Sequence, residues 1–389
     1  MHFDYFIPTK ILFGAGRLNE LHKQKLPGKK ALIVISAGKS TRANGYLDRV
    51  EKQLKLANVE FEVFDKILPN PILSHVMEGA QVAKDTNCDF VIGLGGGSSM
   101  DSSKSIAVMA TNPGNYWDYI SGGSGKGKPV ENDPLPIVAI TTTAGTGTEA
   151  DPWTVVTKED TQEKIGFGYE KTFPVLSIVD PELMTTVPPH LTAYQGFDAL
   201  FHSTEGYLNI TTNPISDAYS LKAIELVAKS LADAVKDGKN IEARANVALG
   251  NTMAGMVEST SGCTGEHSLA HAMSAIFPEL PHGAALIMIS KAFYTHYLNS
   301  GKCDERLINM AKAMGKTNAT EPQDFIDALV ELQIACGVNN LKMSEYKITE
   351  NDLPKLVDNA YDTMGGLFKV DMVPVLKADS LKIFKDSYK

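Results

Sequence analysis

Cysteine is scarce in this chain: Cys88, Cys263, Cys303 and Cys336 are the only four in 389 residues, and none are in CxxC spacing. That excludes a disulfide framework and a thiolate zinc site, and it fits reduced thiols inside a cell. No apolar run is long enough to cross a bilayer. One of the most apolar, residues 283–289, falls far short of the roughly 18–20 residues required. The opening Met1-His2-Phe3-Asp4-Tyr5 has no basic stretch leading into an apolar one, so no secretory signal is expected. There is no long basic run either. Lys and Arg total 37 against 46 Asp and Glu, a net charge of −9, which speaks against nucleic acid as a partner. No internal repeat is present, and the one low-complexity stretch, 121–127, is expected to be a surface loop. With 43% hydrophobic and 21% charged residues, the chain reads as a soluble, cytoplasmic globular protein, long enough for two domains.

The two halves have different periodicity. Apolar runs at 31–35, 61–64, 90–94, 137–140 and 175–179 read as strands, and helix-period patterns occupy 45–56, 74–86 and 99–110. Strands alternating with helices predict βαβ units and a mostly parallel sheet. After Asp180-Pro181 and Pro188-Pro189 the period is helical throughout: 192–209, 214–235, 241–260, 283–298, 304–314, 322–336 and 351–364. The expectation is an α/β domain over 1–187 and an all-helical domain over 188–389, with a ligand cleft between them.

Two loops in the first half have the character of phosphate cradles. Gly95-Gly96-Gly97-Ser98 joins a strand to a helix, where glycines admit close approach of a phosphate and Ser98 and helix amides donate to it. Asp101 is placed to cap that helix or contact a ribose hydroxyl. The loop is neither a G-x-G-x-x-G fingerprint nor a lysine-bearing P-loop. The run from Thr141 to Glu149 follows the next strand and supplies small hydroxyls, among them Thr142, Thr143 and Thr146. Loops at the carboxyl ends of parallel strands converge on one crevice. A solvated threonine-rich loop is the competing reading.

The densest chemistry lies in the helical half. Asp198 and His202 are i and i+4 on one helix face, His267 and His271 repeat the spacing, and His282 lies in Pro281-His282-Gly283. Four of the nine histidines are in this set. Any single histidine is ordinarily structural, but two such pairs with a third site suit a divalent transition metal held by imidazoles and one carboxylate, either ferrous iron or zinc. Spacing alone does not choose between His267 and His271.

In combination, the glycine loop, the Asp-x-x-x-His and His-x-x-x-His pairs, Pro-His-Gly, the opening Pro8–Gly16 and Asp180-Pro181-Glu182-Leu183 resemble the iron-containing (group III) alcohol dehydrogenase family. The resemblance covers essentially the whole chain. It implies a Rossmann-like N-terminal domain and a helical metal-binding domain, the dehydroquinate synthase-like fold. It also implies Asp198, His202, His267 and His282 as metal ligands, with His271 beside the nicotinamide as a proton relay. Gly95, Gly96, Gly97, Ser98 and Asp101 match the pyrophosphate and ribose loop. Thr142, Thr143 and Thr146 match the second cofactor loop, Asn70 the Pro-Asn-Pro turn, and Lys171 a lysine that reaches the cofactor. Small-alcohol or aldehyde substrates, NAD(P)(H) and a homo-oligomer of two or more chains follow from the same resemblance.

Two departures from the family pattern bear on specificity. NAD-preferring relatives place an Asp after the first Rossmann-like strand, whereas here Ser36-Ala37-Gly38-Lys39-Ser40 has no acid. Ser36, Gly38, Lys39 and Ser40 leave room for a 2′-phosphate, which favours NADP(H) with NAD(H) still open; the competing reading of Lys39 is a solvated surface lysine. The segment 371–389 lacks the family's Asn-Pro-Arg ending. Rival readings are a sugar-phosphate cyclase, a glycerol-dehydrogenase-like enzyme and a non-catalytic metal or nucleotide binding subunit. Asp198 and the scarcity of basic residues over 190–290 oppose the first. Trp153 and Phe197 are candidate pocket residues, though each is more often core.

Overall fold

In the computed structural model, which describes residues 2–389, the first half builds one six-stranded sheet. The chain runs through β1 (Lys10–Phe13), β2 (Lys30–Ser36), α1 (Ser40–Ala43), α2 (Tyr46–Leu56), β3 (Glu60–Ile67), α3 (Leu73–Asp85), β4 (Phe90–Gly95), α4 (Gly97–Thr111) and β5 (Ile137–Thr141). It continues through β6 (Thr154–Lys158), β7 (Glu163–Phe167) and β8 (Leu176–Val179). The sheet order is β1-β8-β5-β4-β2-β3, and every pairing in it is parallel. β6 and β7 form a separate antiparallel pair.

The unbroken apolar runs follow from burial on both faces. On β2, Ala31, Ile33 and Ile35 enter one core with Phe90, Ile92 and Leu94 of β4. Leu32 and Val34 enter the other with Val91. β2 leads to β3 at one side and β4 leads to β5 at the other, so the strand order reverses between β2 and β4. Loops leaving the carboxyl ends of such neighbours diverge and open a crevice. β1 and the β6–β7 pair were outside the sequence expectation. β1 is four residues long, and β6 and β7 mix Val, Ile and Phe with Thr, Lys and Glu around a tight turn in which Gln162 has φ 55°.

Phe6–Ala144 with Thr148–Thr186 make one compact unit, the sheet unit. Residues 2–5, Gly145–Gly147 and Val187–Lys389 make the other. The second unit is helical: α5 (Pro189–Tyr207), α6 (Pro214–Lys236), α7 (Ile241–Thr260), α8 (Gly265–Ile276), α9 (His282–Ser300), α10 (Asp304–Ala313), α11 (Gln323–Ala335), α12 (Leu353–Met364) and α13 (Lys377–Ser387). α5 begins on Pro189, whose fixed φ and missing N–H suit a first helical position, and it packs against α6, α7 and α9. Two helices were absent from the periodicity reading. α8 is buried on every side from Gly265 to Ala275, so it has no polar stripe to set a period. α13 is rich in Lys and Asp. Among the described residues no helix is long and apolar enough to cross a membrane.

Candidate metal centre and nucleotide loops

Helix α5 presents Asp198, His202 and Glu205 at i, i+4 and i+7, one stripe on a buried face. Asp198 Oδ1 lies 3.5 Å from His267 Nε2, 3.5 Å from His282 Nε2 and 3.9 Å from His202 Nε2. The His202 and His267 rings stack with centroids 4.4 Å apart. Asp198 Oδ1 and His267 Nε2 are buried and have no hydrogen-bond partner. Left that way, two desolvated polar atoms would be costly, and a cation shared by the cluster resolves the cost. One carboxylate with three imidazoles is a donor set suited to ferrous iron or zinc. The residues present therefore fit the metal that the sequence pattern implies.

His202 and His267 are each aimed by a second contact. His202 Nδ1 meets the carbonyl of Gly145 at 3.2 Å, which directs Nε2 toward Asp198. Burial pushes His202 down to about 4, so its imidazole is neutral and keeps a lone pair for a metal. His267 Nδ1 donates to the Glu205 carboxylate. Glu205 Oε2 also accepts from Thr264 N at 2.7 Å, Thr264 Oγ1 at 3.0 Å and His267 N at 3.3 Å, so it caps α8 while orienting the histidine that α8 carries. Asp371 completes the cap, accepting from Gly265 N at 3.1 Å and Tyr297 Oη at 2.6 Å. His282 is the first residue of α9. Its neighbour Gly283 has to be glycine, because a Cβ there would lie 2.2 Å from the Tyr194 carbonyl of α5. That contact brings the start of α9 to the cluster.

His271, one turn beyond His267 on α8, is in neither of the two compact groups of possible ligands, Asp198–His267–His282 and His202–Cys263–His267. Its ring centroid is 4.8 Å from that of His282, and its Nδ1 meets Met364 Sδ at 2.8 Å. Cys263 is the member that sequence reasoning missed: its Sγ lies within 4.8 Å of His202 and His267 nitrogens. Burial raises that thiol well above its ordinary value, so it stays protonated. Glu205 and Asp371 were also missed. The i+7 relation of Glu205 to Asp198 was the one available sign. Phe197 is core, packed with Phe201, and Trp153 is exposed in the sheet unit.

In the sheet unit the two expected loops are joined. Gly95 has φ 150°, and a Cβ there would come within 2.6 Å of Ser99 Oγ, so only glycine makes the turn into α4. Thr142 N donates to the Gly95 carbonyl at 2.8 Å, and Thr143 would lie 3.1 Å from a Cβ on Gly96. Gly96 is the N-cap of α4 and offers no side-chain acceptor; with Gly97 it leaves first-turn amides suited to a phosphate. Thr146, by contrast, belongs to the helical unit. Ser36, Gly38, Lys39 and Ser40 end β2 and open α1, with Gly38, Lys39 and Ser40 exposed.

Three expectations are corrected here. The Ser98 hydroxyl donates to the Pro69 carbonyl, tying the glycine loop to the Pro69-Asn70-Pro71 turn, so it is not the phosphate donor. Asp101 neither caps α4 nor reaches outward. It is buried, accepting from Thr148 Oγ1 at 2.8 Å and Val155 N at 2.9 Å, and burial pushes it up to about 6. Lys171 is exposed and pairs with Asp133 at 3.2 Å. The lysine that meets Asn70 is Lys164 of β7, 3.1 Å from Asn70 Oδ1 and buried.

Comparison with known proteins points to one family. Residues 8–181 match the family described as iron-containing alcohol dehydrogenase, and residues 192–388 match the C-terminal part of the Fe-containing alcohol dehydrogenase family. Alcohol dehydrogenase 4 of Schizosaccharomyces pombe is 33% identical, over 92% of this chain and 82% of its own length. A choline dehydrogenase of Bacillus subtilis is 36% identical, over 79% of this chain and 76% of its own. The fold matches the alcohol dehydrogenase ADH/D1 from an archaeal halo-thermophile of a Red Sea brine pool with a TM-score of 0.94 at 33% identity, covering 100% of this chain and 99% of that one.

Proposed function

Because the chain belongs to the iron-containing alcohol dehydrogenase family, we propose that it interconverts a small primary alcohol and its aldehyde by hydride exchange with NAD(P)(H), using Fe²⁺ held by Asp198, His202, His267 and His282. The observation that carries the metal assignment is the convergence of Asp198 Oδ1 and His267 Nε2, both buried and unpartnered, with His282 and His202. When bound, the ion supplies Lewis acidity toward a substrate oxygen, and Zn²⁺ would satisfy the same donors. The chain's own residues do the rest. Glu205 and the Gly145 carbonyl hold His267 and His202 in the tautomers that leave Nε2 free. His271 holds or passes the proton exchanged with solvent, a task suited to an imidazole, and its Nδ1 meets the Met364 sulfur.

In the sheet unit, the backbone amides of Gly96 and Gly97 bind the dinucleotide pyrophosphate, with Thr142 and Thr143 beside them, and Lys164 with Asn70 serves where Lys171 was expected. The strand end Ser36–Ser40 has no carboxylate to repel a 2′-phosphate, and exposed Lys39 attracts one, which supports NADP(H) over NAD(H). Four buried, unbridged cysteines support a reducing, cytoplasmic setting. Exposed Phe3, Tyr5 and Phe6 support self-association.

The test is oxidation of NADPH and of NADH with butanal, on metal-free protein before and after anaerobic Fe²⁺ or Zn²⁺. Metal-dependent turnover, faster with NADPH, is expected. Absence of turnover in every combination, despite bound metal and nucleotide, would overturn the reading.

A further inference from the structure

Two overlapping sets of donors make up the histidine cluster, and they differ in softness. Asp198, His267 and His282 form one, a carboxylate with two imidazoles. His202, Cys263 and His267 form the other, a thiol with two imidazoles, and their donor atoms lie within 4.8 Å of one another. His267 is common to both. The second set is deeply buried, with His202 5%, Cys263 7% and His267 3% exposed.

Backbone contacts hold the thiol in place. Gly262, two residues after α7, turns the chain at φ 77°. Asn209 Nδ2 donates to the Cys263 carbonyl at 3.1 Å, and the next residue, Thr264, is fixed to Glu205 through both N and Oγ1. A buried cysteine is ordinarily a small packing group. The contacts of its neighbours point to more than packing. Glu205 engages His267 Nδ1 and the Gly145 carbonyl engages His202 Nδ1, so Nε2 is the nitrogen each ring has left for a cation. His267 Nε2 is buried with no hydrogen-bond partner. Asp198 Oδ1 stands 3.5 Å from it and 3.9 Å from His202 Nε2, and supplies a fourth donor.

We propose that Cys263 gives the centre a second coordination mode, in which a thiophilic ion such as Zn²⁺ or Cd²⁺ is held by Cys263, His202, His267 and Asp198. This rests on the metal centre of the dehydrogenase reading above. Fe²⁺ keeps to the carboxylate and imidazoles, whereas a thiolate favours the softer ion. Entry of that ion replaces the S–H bond with a sulfur–metal bond, and the proton passes to solvent. Four protein donors complete the coordination number of zinc without His282, as in structural sites, and leave no open position for a substrate oxygen. Zinc held this way competes with iron and slows turnover.

The experiment is X-ray absorption on metal-free protein loaded with one equivalent of Zn²⁺. The wild type should show one sulfur neighbour at about 2.3 Å beside nitrogen and oxygen at about 2.0–2.2 Å. Cys263→Ser and Cys263→Ala should both lose the sulfur neighbour, and having two variants covers the failure of either to fold. Cd²⁺ should give a thiolate-to-metal absorption band in the ultraviolet with wild type and none with the variants. In chelator competition the variants should lose zinc affinity relative to Fe²⁺ affinity on the order of tenfold or more. Iron-loaded wild type should show no sulfur neighbour at the iron edge. A zinc shell of nitrogen and oxygen alone in wild type overturns the proposal, as does sulfur retained in a folded variant or sulfur bound to iron. Any of these leaves the dehydrogenase reading standing if the iron form turns over. Protein that takes up neither ion overturns the metal centre itself, and the proposal with it.

Discussion

Replacing Glu205 with Gln tests the logic of the metal centre most directly, because the change is nearly isosteric and its consequence is forced. Glu205 uses one oxygen to accept from His267 Nδ1 and the other to accept from Thr264 N, Thr264 Oγ1 and His267 N. A glutamine has one acceptor and one donor end. If its oxygen keeps the three cap donors, its NH₂ faces His267 Nδ1, which must then be unprotonated. The proton moves to Nε2 and blocks the atom that points at Asp198. If instead the oxygen keeps His267 Nδ1, the NH₂ faces three donors and the start of α8 is uncapped. The first arrangement predicts a loss of metal affinity of the order seen on removing such a partner, about 10–100-fold, or roughly 1.4–2.7 kcal/mol. The second costs metal-free stability about 0.5–2 kcal/mol, the range for a lost cap. Anaerobic titration of Fe²⁺ against a competing chelator measures the first, and urea unfolding of metal-free protein measures the second. Metal affinity within twofold of wild type together with unchanged unfolding would refute the reasoning, since one of the two must move.

Gly38→Asp should reverse coenzyme preference: a Cβ there meets nothing closer than Ser36 Oγ at 3.6 Å, so the side chain fits. Its charge repels a 2′-phosphate, lowering kcat/KM for NADPH on the order of tenfold or more while NADH improves or holds. His271→Ala should slow turnover on the order of 100-fold or more with iron content intact, measured by steady-state kinetics and elemental analysis; lost iron would place it among the ligands. The depressed His202 gives a pH dependence to the metal-free protein. With a folded value of about 4 against 6.5 unfolded, the unfolded state takes up the proton first as pH falls. The contribution of His202 to stability is therefore lost on going down through 6.5, by about 2 kcal/mol between pH 7 and pH 5. Asp101 and Asp371, pushed up by burial to about 6 and about 7, act in the opposite sense in both proteins, so the check is the difference: between pH 7 and pH 5, urea unfolding should show wild type changing by about that much more toward instability than His202→Asn.

Much of the fold was legible because burial imposes pattern. β2 and β4 are covered on both faces and read as continuous apolar runs, and α6 and α7 show the helical period plainly. What escaped notice lacked contrast. α8 is surrounded by protein, so apolar and small polar residues occur at every position without a stripe. β1 draws its partner from β8, more than 160 residues away, and no local pattern reports a pairing of that range. Among the site residues, the ligand types and spacings of Asp198, His202, His267 and His282 were visible because coordination needs particular side chains at particular helical intervals. The side chains that aim them were not. Asp101 and Lys171 erred in the opposite direction, since a residue type suited to a ligand contact does not reveal whether its atoms are already engaged.

The supporting groups share a physical reason for being hidden. Glu205 and Asp371 come from chain positions far from α8, yet both act on its first turn, where unpaired amides accumulate and negative charge is favoured. A sequence shows that α8 carries His267; it does not show which distant carboxylates fold back on its amino end. The same holds for the Gly145 carbonyl on His202, a backbone atom with no side-chain signature at all. The separation is general for a centre assembled on helices. Ligands are chosen by chemistry and spacing, which are local, whereas tautomer and ring direction are chosen by whichever acceptor the tertiary fold delivers.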